Sequence, residues 1–559
     1  MLYSRLFGKT LRERPQGGSA KSFLVLQQAG FIRSLGPGLF SYLPLGIRTL
    51  RRIKEIIRQE MESLGGQEVL VPLINPYEIW ERGGRAELVG PSLVRFQDRQ
   101  GREFVLSPTH EEAMVELLRM GLNSYRDLPV LLYQFQTKVR DEETLRGGLL
   151  RSREFIMKDA YSFHRSYSDL NNFFPRMFLA YQRIFQRLDL TVVAAESGVG
   201  FMGGHKAYEF LMPSREGEDV FVICEHCAYK ANRDVAIAHK EYGSENPLPL
   251  EKILTPECTS MNRLSRYLKL PKSKLVKSMM YQSSRGLVMA VVRGDYEVSV
   301  DKLSKVSGCN ISDLAGIERI KELGISPGYM SPLGISGDVL VVVDDTVANS
   351  NNLVMGGNET GLHYVNVNFG RDFETSLVGD IVRTRGRDTC FQCGHPLKEV
   401  RAIELGNIFK LGDVYSRAMG LEFQDDKRRR YHPHMGSYGI GMGRLLNAVA
   451  AAHRDEKGIC WPVEVAPFKV YLMGIGKSHK VRKVVFELYE ELGPEIALLD
   501  DRLESPGVKF FDAELIGIPY RIVVTSGLLL NDEVEVYERS SGRIWQVPLT
   551  ELVSQVLAY

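Results

Sequence analysis

Two short cysteine pairs set the strongest constraint on how this chain can fold. Cys224 and Cys227 form one Cys-x-x-Cys sequence, and Cys390 and Cys393 form a second. Residues 228–389 separate them, which is enough chain for a domain of its own. Cysteine pairs at this spacing are typical of zinc knuckles. The pattern predicts either a structural Zn²⁺ site that joins the two ends of an inserted domain, or four reduced thiols without metal.

The composition is that of an ordinary globular protein with several domains. The 559 residues suffice for three or four domains of ~100–200 residues each. Hydrophobic residues make up 44% and charged residues 25%, which excludes a disordered chain, a collagen and a coiled-coil rod. Seven cysteines in a chain of this size argue against a disulfide framework. Because no run approaches ~20 apolar residues and no secretory segment begins the chain, we expect no membrane partner and a cytoplasmic location.

The charge balance limits how the chain can bind nucleic acid. With 71 basic and 69 acidic residues the net charge is +2, so no general positive field surrounds the protein. Any nucleic-acid site must therefore be a local patch. The basic run 427–430 is a candidate, although such runs are more often solvated loops.

A helix followed by a strand is predicted near the N-terminus. Apolar residues recur at helical spacing after Pro44: Ile47, Leu50, Ile53, Ile57, Met61 and Leu64. Gly65 and Gly66 end the helix, and a short strand is expected over 68–71.

Residues 131–155 have the period-two pattern of an antiparallel hairpin. The polar residues of the first strand share one face: Gln134, Gln136, Lys138 and Arg140. In the returning strand Arg151, Arg153 and Phe155 alternate to one side. A solvated face is the usual reason for such a pattern. Several arginines, an aromatic ring and Glu142 on one face favour an anionic ligand instead.

A glycine-rich segment leads into a helix later in the chain. The glycines between Gly436 and Arg444 permit close approach of a ligand to the backbone, and their spacing differs from the dinucleotide-binding fingerprint. Arg444 falls in the first helical turn, where amide groups and a guanidinium can act together on an anion. Beyond Pro467 strand and helix patterns alternate, which predicts a separate α/β domain.

Taken in order, these segments resemble the motifs of the bacterial-type prolyl-tRNA synthetase family, a group of class II aminoacyl-tRNA synthetases. The resemblance covers essentially the whole chain. The matching segments are 42–46 with the following helix and Pro72 (motif 1), 108–112, 140–155 (motif 2), 439–444 (motif 3), and 505–510 with 512–519 in the last domain.

The resemblance implies an α/β multidomain fold. Residues 1–227 and 390–466 would form the two parts of an antiparallel-sheet catalytic domain, and residues 228–389 an inserted α+β editing domain. Residues 467–559 would form an α/β anticodon-binding domain. The resemblance also implies a homodimer, because motif 1 normally builds the subunit interface of this class.

The implied reaction is the ATP-dependent attachment of proline to tRNA(Pro) through a prolyl-adenylate, with ATP as substrate and Mg²⁺ on its phosphates. The implied catalytic residues are Arg140, Glu142 and Arg444. Arg140 would hold the α-phosphate and the proline carboxylate, and Arg444 the outer phosphates. Phe155 would stack on adenine, and Glu142 and Arg151 would complete the ATP site.

The proline imino group is cationic and needs an acceptor, a role that the resemblance gives to Thr109 and Glu111. Structural alternatives stay open for two of these positions. Thr109 fits a turn cap equally well, and Arg151 fits a surface ion pair.

The insertion resembles the family's editing domain, which hydrolyses mischarged Ala-tRNA(Pro). Alanine is smaller than proline, so lost contacts give a synthetic pocket only ~1–3 kcal/mol of discrimination per methylene. The matching residues are Lys277, Gly328 and Pro332 in one loop, Asp344 and His363. Lys277 would hold the terminal phosphate of the tRNA, while amide groups of the loop would bind the ester carbonyl.

Three positions depart from the family pattern: Asn407 stands where histidine is usual, His205 where a small residue is usual, and Thr525 where glycine is usual.

Two alternative functions agree less well with these residues. A non-catalytic paralogue tends to lose the arginines that hold phosphate, yet Arg140 and Arg444 are present. A class II synthetase for another small amino acid is disfavoured by the Thr109 and Glu111 pair and by the editing insertion.

Overall fold

A computed structural model describes residues 1–15, 20–243, 245–335 and 339–558. The chain divides into two compact units. The main unit comprises Met1–Val193, Phe210–Glu218 and Ala402–Tyr559, and the insertion unit comprises Ala194–Glu209 and Asp219–Arg401. Within the described residues, no helix is both long enough and apolar enough to cross a membrane.

The helices and strands follow in chain order. Before residue 190 they are α1 Lys21–Gln28, β1 Ile32–Gly36, β2 Leu39–Tyr42, α2 Pro44–Glu62, β3 Gly66–Glu68, β4 Ile74–Pro76, α3 Tyr77–Arg82, α4 Ala86–Val89, β5 Val94–Gln97, β6 Glu103–Leu106, α5 Glu111–Arg119, β7 Val130–Val139, β8 Glu154–His164 and α6 Tyr167–Arg187. From residue 193 to residue 390 they are β9 Val193–Ser197, β10 Lys206–Pro213, β11 Asp219–Ile223, β12 Lys230–Asn232, β13 Ala238–His239, β14 Glu251–Leu254, α7 Met261–Leu268, β15 Val276–Ser283, β16 Gly286–Arg293, α8 Val300–Ser307, β17 Ile311–Leu314, α9 Ile317–Glu322, β18 Val339–Asp344, α10 Asp345–Ala348, β19 Leu353–Gly356, β20 Leu362–Val367, β21 Val378–Gly379 and β22 Thr389–Cys390. The remainder are β23 Lys398–Gly412, α11 Val414–Ala418, β24 Phe423–Gln424, β25 Arg430–Tyr431, β26 His434–Gly441, α12 Met442–Ala452, β27 Val470–Gly474, α13 His479–Leu492, β28 Ala497–Asp500, α14 Pro506–Ile516, β29 Tyr520–Val524, β30 Glu533–Glu538, β31 Ile544–Pro548 and α15 Leu549–Ala558.

Helix α2 forms as its pattern predicts. Pro44 occupies its first turn, where the missing N–H costs nothing, and its apolar stripe is buried. The strand expected over 68–71 is displaced, because β3 ends at Glu68. Only Val69 continues the backbone pairing, by donating to the Tyr133 carbonyl, whereas Val71 donates to the side chain of Gln134.

An antiparallel sheet carries the main unit. Strands β23, β26, β8, β7 and β3 lie side by side in that order, with only the β3–β7 pair parallel. The predicted hairpin is β7 with β8, and its register places Gln134 opposite Asp159 and Lys138 opposite Phe155. Gly439 of β26 lies opposite Asp159 on one side and Asn407 on the other. Because paired residues share a face of the sheet, polar groups from four strands meet on one surface.

The C-terminal part of the main unit is the predicted α/β module. Its sheet has the order β28-β27-β29-β30-β31, and α13 and α15 help to cover an apolar core. The first residues of the chain pack here: Tyr3 is fully buried, and the Arg502 guanidinium lies 3.7 Å from the centre of its ring. The buried carboxylate of Asp512 accepts hydrogen bonds from Thr10 and Arg502. The two ends of the sequence therefore stabilise one structure.

The insertion unit has two sheets around its own core. A five-stranded sheet has the order β17-β15-β16-β18-β21, and a three-stranded sheet has the order β14-β20-β19. Apolar residues of β15, β16 and β18 face those of β19 and β20 in one buried cluster. Burial of side chains of this size stabilises a fold by ~1.5–3 kcal/mol each.

Candidate active site, editing cavity and cysteine cluster

A buried carboxylate on the main unit collects donors from three parts of the chain. Glu111, at the start of α5, accepts hydrogen bonds from the Thr109 hydroxyl at 2.5 Å, the Ser437 hydroxyl at 2.9 Å and the Arg85 guanidinium at 3.2 Å. All four side chains are buried. Such a cluster fixes the position of the carboxylate, an acceptor suited to a cationic ligand.

Arg85 also serves the neighbouring carboxylate. Its guanidinium lies 3.1 Å from Glu112, and the rings of Trp80 and Tyr415 flank it at 5.4 and 5.1 Å. Burial raises the pKa of Glu112 to about 7, although the Arg85 charge acts in the opposite direction. One arginine therefore contacts two adjacent carboxylates in a site with almost no solvent exposure.

A second buried network lies on the same sheet. The Lys138 ammonium contacts Asp159 at 2.8 Å and Nδ1 of His110 at 2.6 Å, while Gln134 donates to the other oxygen of Asp159. Burial, followed by the Lys138 charge, lowers the pKa of His110 to about 4. The imidazole is therefore neutral near pH 7, with Nδ1 accepting from Lys138 and Nε2 donating to the Pro72 carbonyl at 3.1 Å.

Two arginines form the electropositive part of this surface. Arg140 follows β7, donates to the Pro108 carbonyl and lies 5.2 Å from the ring centre of Phe155. Arg444, in the first turn of α12, donates to the Leu150 carbonyl and lies 3.1 Å from the Glu404 carboxylate. Burial lowers the pKa of Arg140, Glu142 partly offsets this, and the charge of Arg444 lowers it further. The two guanidinium groups thus repel each other, so an anion between them would be stabilised.

The Glu142 and Arg151 side chains bind each other. Both Nε and Nη2 of Arg151 donate to one oxygen of Glu142, at 2.8 and 2.6 Å. The arginine side chain is 45% exposed, so the pair lies at the rim of the site. This is the ion pair that the sequence left open as an alternative for Arg151, and both of its hydrogen bonds use the same Glu142 oxygen.

The glycines of the 436–444 segment allow close packing beneath the site. A side chain at Gly439 would meet the Met157 sulfur at 3.3 Å, and one at Gly443 would meet the Tyr42 hydroxyl at 2.5 Å. Beside Gly439, the Asn407 side-chain oxygen is buried and has no hydrogen-bond partner among the described residues. An unpaired buried acceptor is costly unless a ligand or water supplies a donor.

In the insertion unit, Lys277 of β15 lines a cavity of about 560 Å³. Charged groups of both signs share this cavity: Lys272, Asp295, Glu297 and Arg387. Burial lowers the pKa of Lys277 from its ordinary value. An ammonium in a partly desolvated cavity of this kind gains from contact with an anionic ligand.

His363 and Gly328 lie together on a neighbouring part of the unit. The Thr255 hydroxyl contacts Nδ1 of His363 at 2.5 Å, and the Tyr329 ring lies edge-on to the imidazole at 5.5 Å. Gly328 has φ +87°, a left-handed conformation, and faces Thr259. Because Ser260 and Met261 line the Lys277 cavity, the segment 255–261 connects the two groups of residues.

The loop that contains Gly328 and Pro332 is held by Asn358. Its side chain accepts a hydrogen bond from the Ser331 amide at 2.8 Å and donates to the Leu333 carbonyl at 2.8 Å. Burial lowers the pKa of His363 to about 4, so this imidazole is neutral near pH 7. The loop is thus held by side-chain hydrogen bonds next to an uncharged histidine.

Asp344 has a different environment. Its fully buried carboxylate accepts from the amides of Thr346 and Ile381 at 3.0 Å and from Lys240 at 3.2 Å. Lys240 also contacts Asp380 at 3.0 Å. These contacts organise the polypeptide where it enters and leaves the insertion, and they occupy the oxygens of Asp344.

The four cysteines of the two Cys-x-x-Cys pairs converge within the insertion unit. Their Sγ atoms all lie within 4.8 Å of one another, with Cys224 3.4 Å from Cys393 and Cys227 3.5 Å from Cys390. Backbone N–H groups of Cys227 and His226 point at the Cys224 sulfur and lower its pKa to about 6. Of the two alternatives that the sequence left open, this convergence is compatible with the shared metal site.

Two family models match this chain. A model described as the tRNA synthetase class II core domain (G, H, P, S and T) matches residues 94–453, and a model of an anticodon binding domain matches residues 469–559. Among curated relatives, the chain is 42% identical to the proline–tRNA ligase of Salinispora tropica, with 100% of this chain and 96% of that protein aligned. It is 40% identical to the proline–tRNA ligase of Aquifex aeolicus, over 100% and 98% of the two chains.

The chain belongs to the proline–tRNA ligase family. Its fold agrees with that assignment. A prolyl-tRNA synthetase from Cryptosporidium parvum, solved with halofuginone and AMPPNP, superposes with a TM-score of 0.57 at 15% identity, covering 96% of this chain and 76% of that one. The resemblance proposed from the motifs, and the class II fold with its anticodon-binding domain, are thus confirmed.

For this member of the proline–tRNA ligase family, sequence reasoning missed part of the site. It identified Thr109, Glu111, Arg140 and Arg444, yet neither Ser437 nor Arg85 was foreseen. Ser437 lies inside the glycine-rich segment, on β26, and its contact with Glu111 depends on tertiary structure that no local pattern marks. Arg85 follows a Gly-Gly turn in which no periodicity points to α5.

The positions that depart from the proline–tRNA ligase pattern have distinct environments. Asn407 lies on the site surface opposite Gly439. His205 is exposed. The Thr525 hydroxyl accepts the amide of Leu528 at 3.3 Å, which caps the short turn after β29. Arg429 and Arg430 of the basic run are exposed and paired with Asp425 and Glu422.

Proposed function

We propose that this chain activates proline with ATP and transfers it to tRNA(Pro). The observation that carries the proposal is the arrangement on one surface of a fixed buried carboxylate, Glu111, and two mutually repelling guanidinium groups, Arg140 and Arg444. A cationic imino group fits the carboxylate, and the carboxylate and phosphates of the two substrates fit the arginines.

Proline binding begins at Glu111. The imino group of proline carries two N–H donors and a positive charge, and Glu111 is an acceptor held by Thr109 and Ser437. The unpaired oxygen of Asn407 offers a further acceptor on the same surface. Arg140 receives the proline carboxylate and so directs one carboxylate oxygen towards ATP.

Adenylate formation then needs positioning and charge neutralisation. A carboxylate oxygen of proline attacks the α-phosphorus of ATP, the bond to the β-phosphate breaks, and pyrophosphate leaves. Arg140 neutralises charge on the α-phosphate, Arg444 on the outer phosphates, and Phe155 stacks on adenine. In the second step the terminal ribose hydroxyl of tRNA attacks the prolyl carbonyl, and AMP leaves.

Magnesium fits the outer part of this site. Mg²⁺ prefers oxygen ligands and is usually held by one or two carboxylates together with substrate phosphates. Glu404 beside Arg444 and Glu142 at the rim supply such carboxylates. When bound, Mg²⁺ would neutralise charge on the ATP phosphates.

Proline-dependent exchange of pyrophosphate into ATP tests the synthetic function. We expect exchange with proline, and about a 100-fold loss of kcat/KM in Glu111→Gln, because an acceptor for a cation becomes a neutral amide. Glu116→Gln is the matched control, since Glu116 lies on the same helix but pairs with Arg82. Exchange with another amino acid and none with proline would reject the assignment.

For the insertion unit we propose hydrolytic editing of Ala-tRNA(Pro). The proposal is supported by the cavity beside Lys277 and by the loop of Gly328 and Pro332 packed near neutral His363. Lys277 would hold the terminal phosphate, and His363 with the loop amides would orient the ester. The role of Asp344 would be to position β18 and, through Lys240, the polypeptide where it enters and leaves the insertion (the neck).

Separate variants test editing. Lys277→Ala and His363→Ala should leave prolylation unchanged and raise the accumulation of Ala-tRNA(Pro). Lys252→Ala is a control, because this lysine is exposed and pairs with Glu359. Unchanged hydrolysis of Ala-tRNA(Pro) in both test variants would reject the site.

We also propose a structural Zn²⁺ at Cys224, Cys227, Cys390 and Cys393. At a Zn–S distance of about 2.3 Å, sulfurs of a tetrahedral site lie ~3.8 Å apart, close to the spacing of these thiols. The ion would stabilise the neck by joining the two segments of polypeptide that carry the cysteine pairs. Metal analysis of the purified protein tests this, and a stoichiometry near zero would reject it.

The remaining proposals concern organisation. We propose that residues 1–227 and 390–466 act as the catalytic domain, 228–389 as the editing domain and 467–559 as the anticodon-binding domain. We further propose a cytoplasmic homodimer. A monomer in light scattering would contradict the dimer.

A further inference from the structure

Beside the four cysteines lies a second group of metal-ligating side chains. His226 stands inside the first Cys-x-x-Cys and His395 follows the second. A ring nitrogen of each histidine and the sulfur of Cys393 all lie within 4.8 Å of one another. Cys393 therefore belongs to both groups. No step proposed above uses either histidine.

The two imidazoles stack face to face beside the Cys393 sulfur. Their rings are parallel within 8°, with centres 3.8 Å apart. Two nitrogens that bind one Zn²⁺ at about 2.0–2.1 Å lie ~3.3 Å apart in a tetrahedral site. Because each lone pair lies in the plane of its ring, binding one ion requires the rings to turn out of the stack until both nitrogens face it. Both histidines are exposed, so an ion can enter from solvent.

The tautomer of His395 is also suitable. Its Nδ1 lies 3.2 Å from the Cys393 carbonyl oxygen, which can only accept a hydrogen bond. Nδ1 therefore carries the proton and Nε2 keeps the lone pair. Metal-binding histidines commonly donate their other N–H to a backbone carbonyl in this way.

Electrostatics favours a second cation at this place. Four thiolates around one Zn²⁺ leave a net charge of about −2 on the centre. A second divalent ion at the Cys393 sulfur would lower that charge. The nearby Glu225 and Lys398 are exposed and pair with each other, so they leave the local charge unchanged.

We propose that His226, His395 and Cys393 form an outer site for a second, exchangeable Zn²⁺, with the Cys393 thiolate bridging the two ions. The proposal rests on the inner zinc centre proposed above. Three protein ligands leave a fourth position for water, so the outer ion is held less tightly than the inner one and exchanges with solvent.

Zinc titration of the full-length protein tests the outer site. The wild-type protein, first freed of loose metal, should retain one zinc per chain and take up a second saturably. The double variant His226→Asn/His395→Asn should keep the first zinc and its thermal stability but lose the second. His479→Asn is the control, because His479 is exposed on the C-terminal module and should bind as wild type.

Cobalt provides an independent readout, because a bridging thiolate adds charge-transfer absorption when the outer ion binds. A second ion taken up equally by the double variant would overturn the outer site, as would saturation at one ion with the inner zinc present; either result leaves the inner centre intact. Protein that neither contains nor binds zinc would overturn the inner centre, and the outer site with it.

Discussion

The Ser437 hydroxyl donates a hydrogen bond of 2.9 Å to Glu111, although the two residues are 326 positions apart in the sequence. Thr109 occupies the other oxygen of the same carboxylate. The strand that carries motif 3 thus holds the carboxylate proposed to bind proline.

Removing the Ser437 hydroxyl should weaken proline binding. In Ser437→Ala we expect KM for proline to rise about tenfold with little change in KM for ATP, because a hydrogen bond to a charged group contributes ~1.5–3 kcal/mol and Thr109 compensates in part. Steady-state pyrophosphate exchange measures both constants. Ser162→Ala is a matched control, since this buried hydroxyl contacts Tyr438. Equal effects of the two variants would contradict a specific role.

Glu112 should make stability depend on pH. Its pKa is about 7 in the folded protein and 4.5 as the ordinary value, so the folded state binds the proton more tightly. Its contribution to stability is complete below pH 4.5 and is lost as the pH rises to about 7. Thermal unfolding between these pH values should therefore vary less in Glu112→Gln than in wild type. The same pH dependence in wild type and in Glu112→Gln would show that Glu112 does not cause it.

Arg85 should be essential for folding of this site. Arg85→Met leaves Glu111 and Glu112 buried without their cation, which we expect to cost about 3–5 kcal/mol. Arg85→Lys should restore part of this, since it keeps the charge but loses the shape of the guanidinium. Thermal unfolding of both variants measures the difference. Wild-type stability in Arg85→Met would show that the carboxylates are neutral.

Lys277 should contribute one ionic contact to editing. If its ammonium holds a tRNA phosphate, Lys277→Ala should weaken binding of Ala-tRNA(Pro) and reduce the log–log slope of affinity against salt by about one. The matched control is Lys274→Ala, because Lys274 pairs with Glu245 outside the cavity. An unchanged slope in Lys277→Ala would show that Lys277 does not bind a tRNA phosphate.

Asp512 should tie the N-terminal segment to the C-terminal module. Asp512→Asn keeps the shape of the side chain but removes a buried charge that accepts hydrogen bonds from Thr10 and Arg502. We therefore expect the free energy of unfolding to fall by about 3 kcal/mol. Asp501→Asn should cost ~0–1 kcal/mol, because its contacts with Ser4 are exposed. Chemical denaturation compares them, and equal losses would contradict the coupling.

Local patterns predicted most of the elements. The period of two in 131–155 and the apolar spacing after Pro44 reflect burial on one face, and both the hairpin and the helix follow. The strand expected over 68–71 was misplaced, because a side-chain acceptor on Gln134 replaces backbone pairing there. No periodic pattern in the sequence shows where a side-chain acceptor will replace a backbone acceptor.

Only the site residues that lie in recognisable sequence motifs could be predicted. Arg140 and Arg444 carry recognisable patterns, whereas the importance of Ser437 and Arg85 depends on which strands become neighbours. The Lys138, His110 and Asp159 network likewise required the register of β7 and β8. Pairing between distant segments is a tertiary property, so it became visible only with the structure.

The contact between Thr10 and Asp512 joins residues 502 positions apart. At a synthesis rate of ~5–20 residues per second, the N-terminal segment leaves the ribosome roughly 25–100 s before its partner is made. During that interval Tyr3 and its apolar neighbours have no native surface to cover them. The native contacts of Tyr3 with Tyr471 and Arg502 can therefore form only after the C-terminal module has been made.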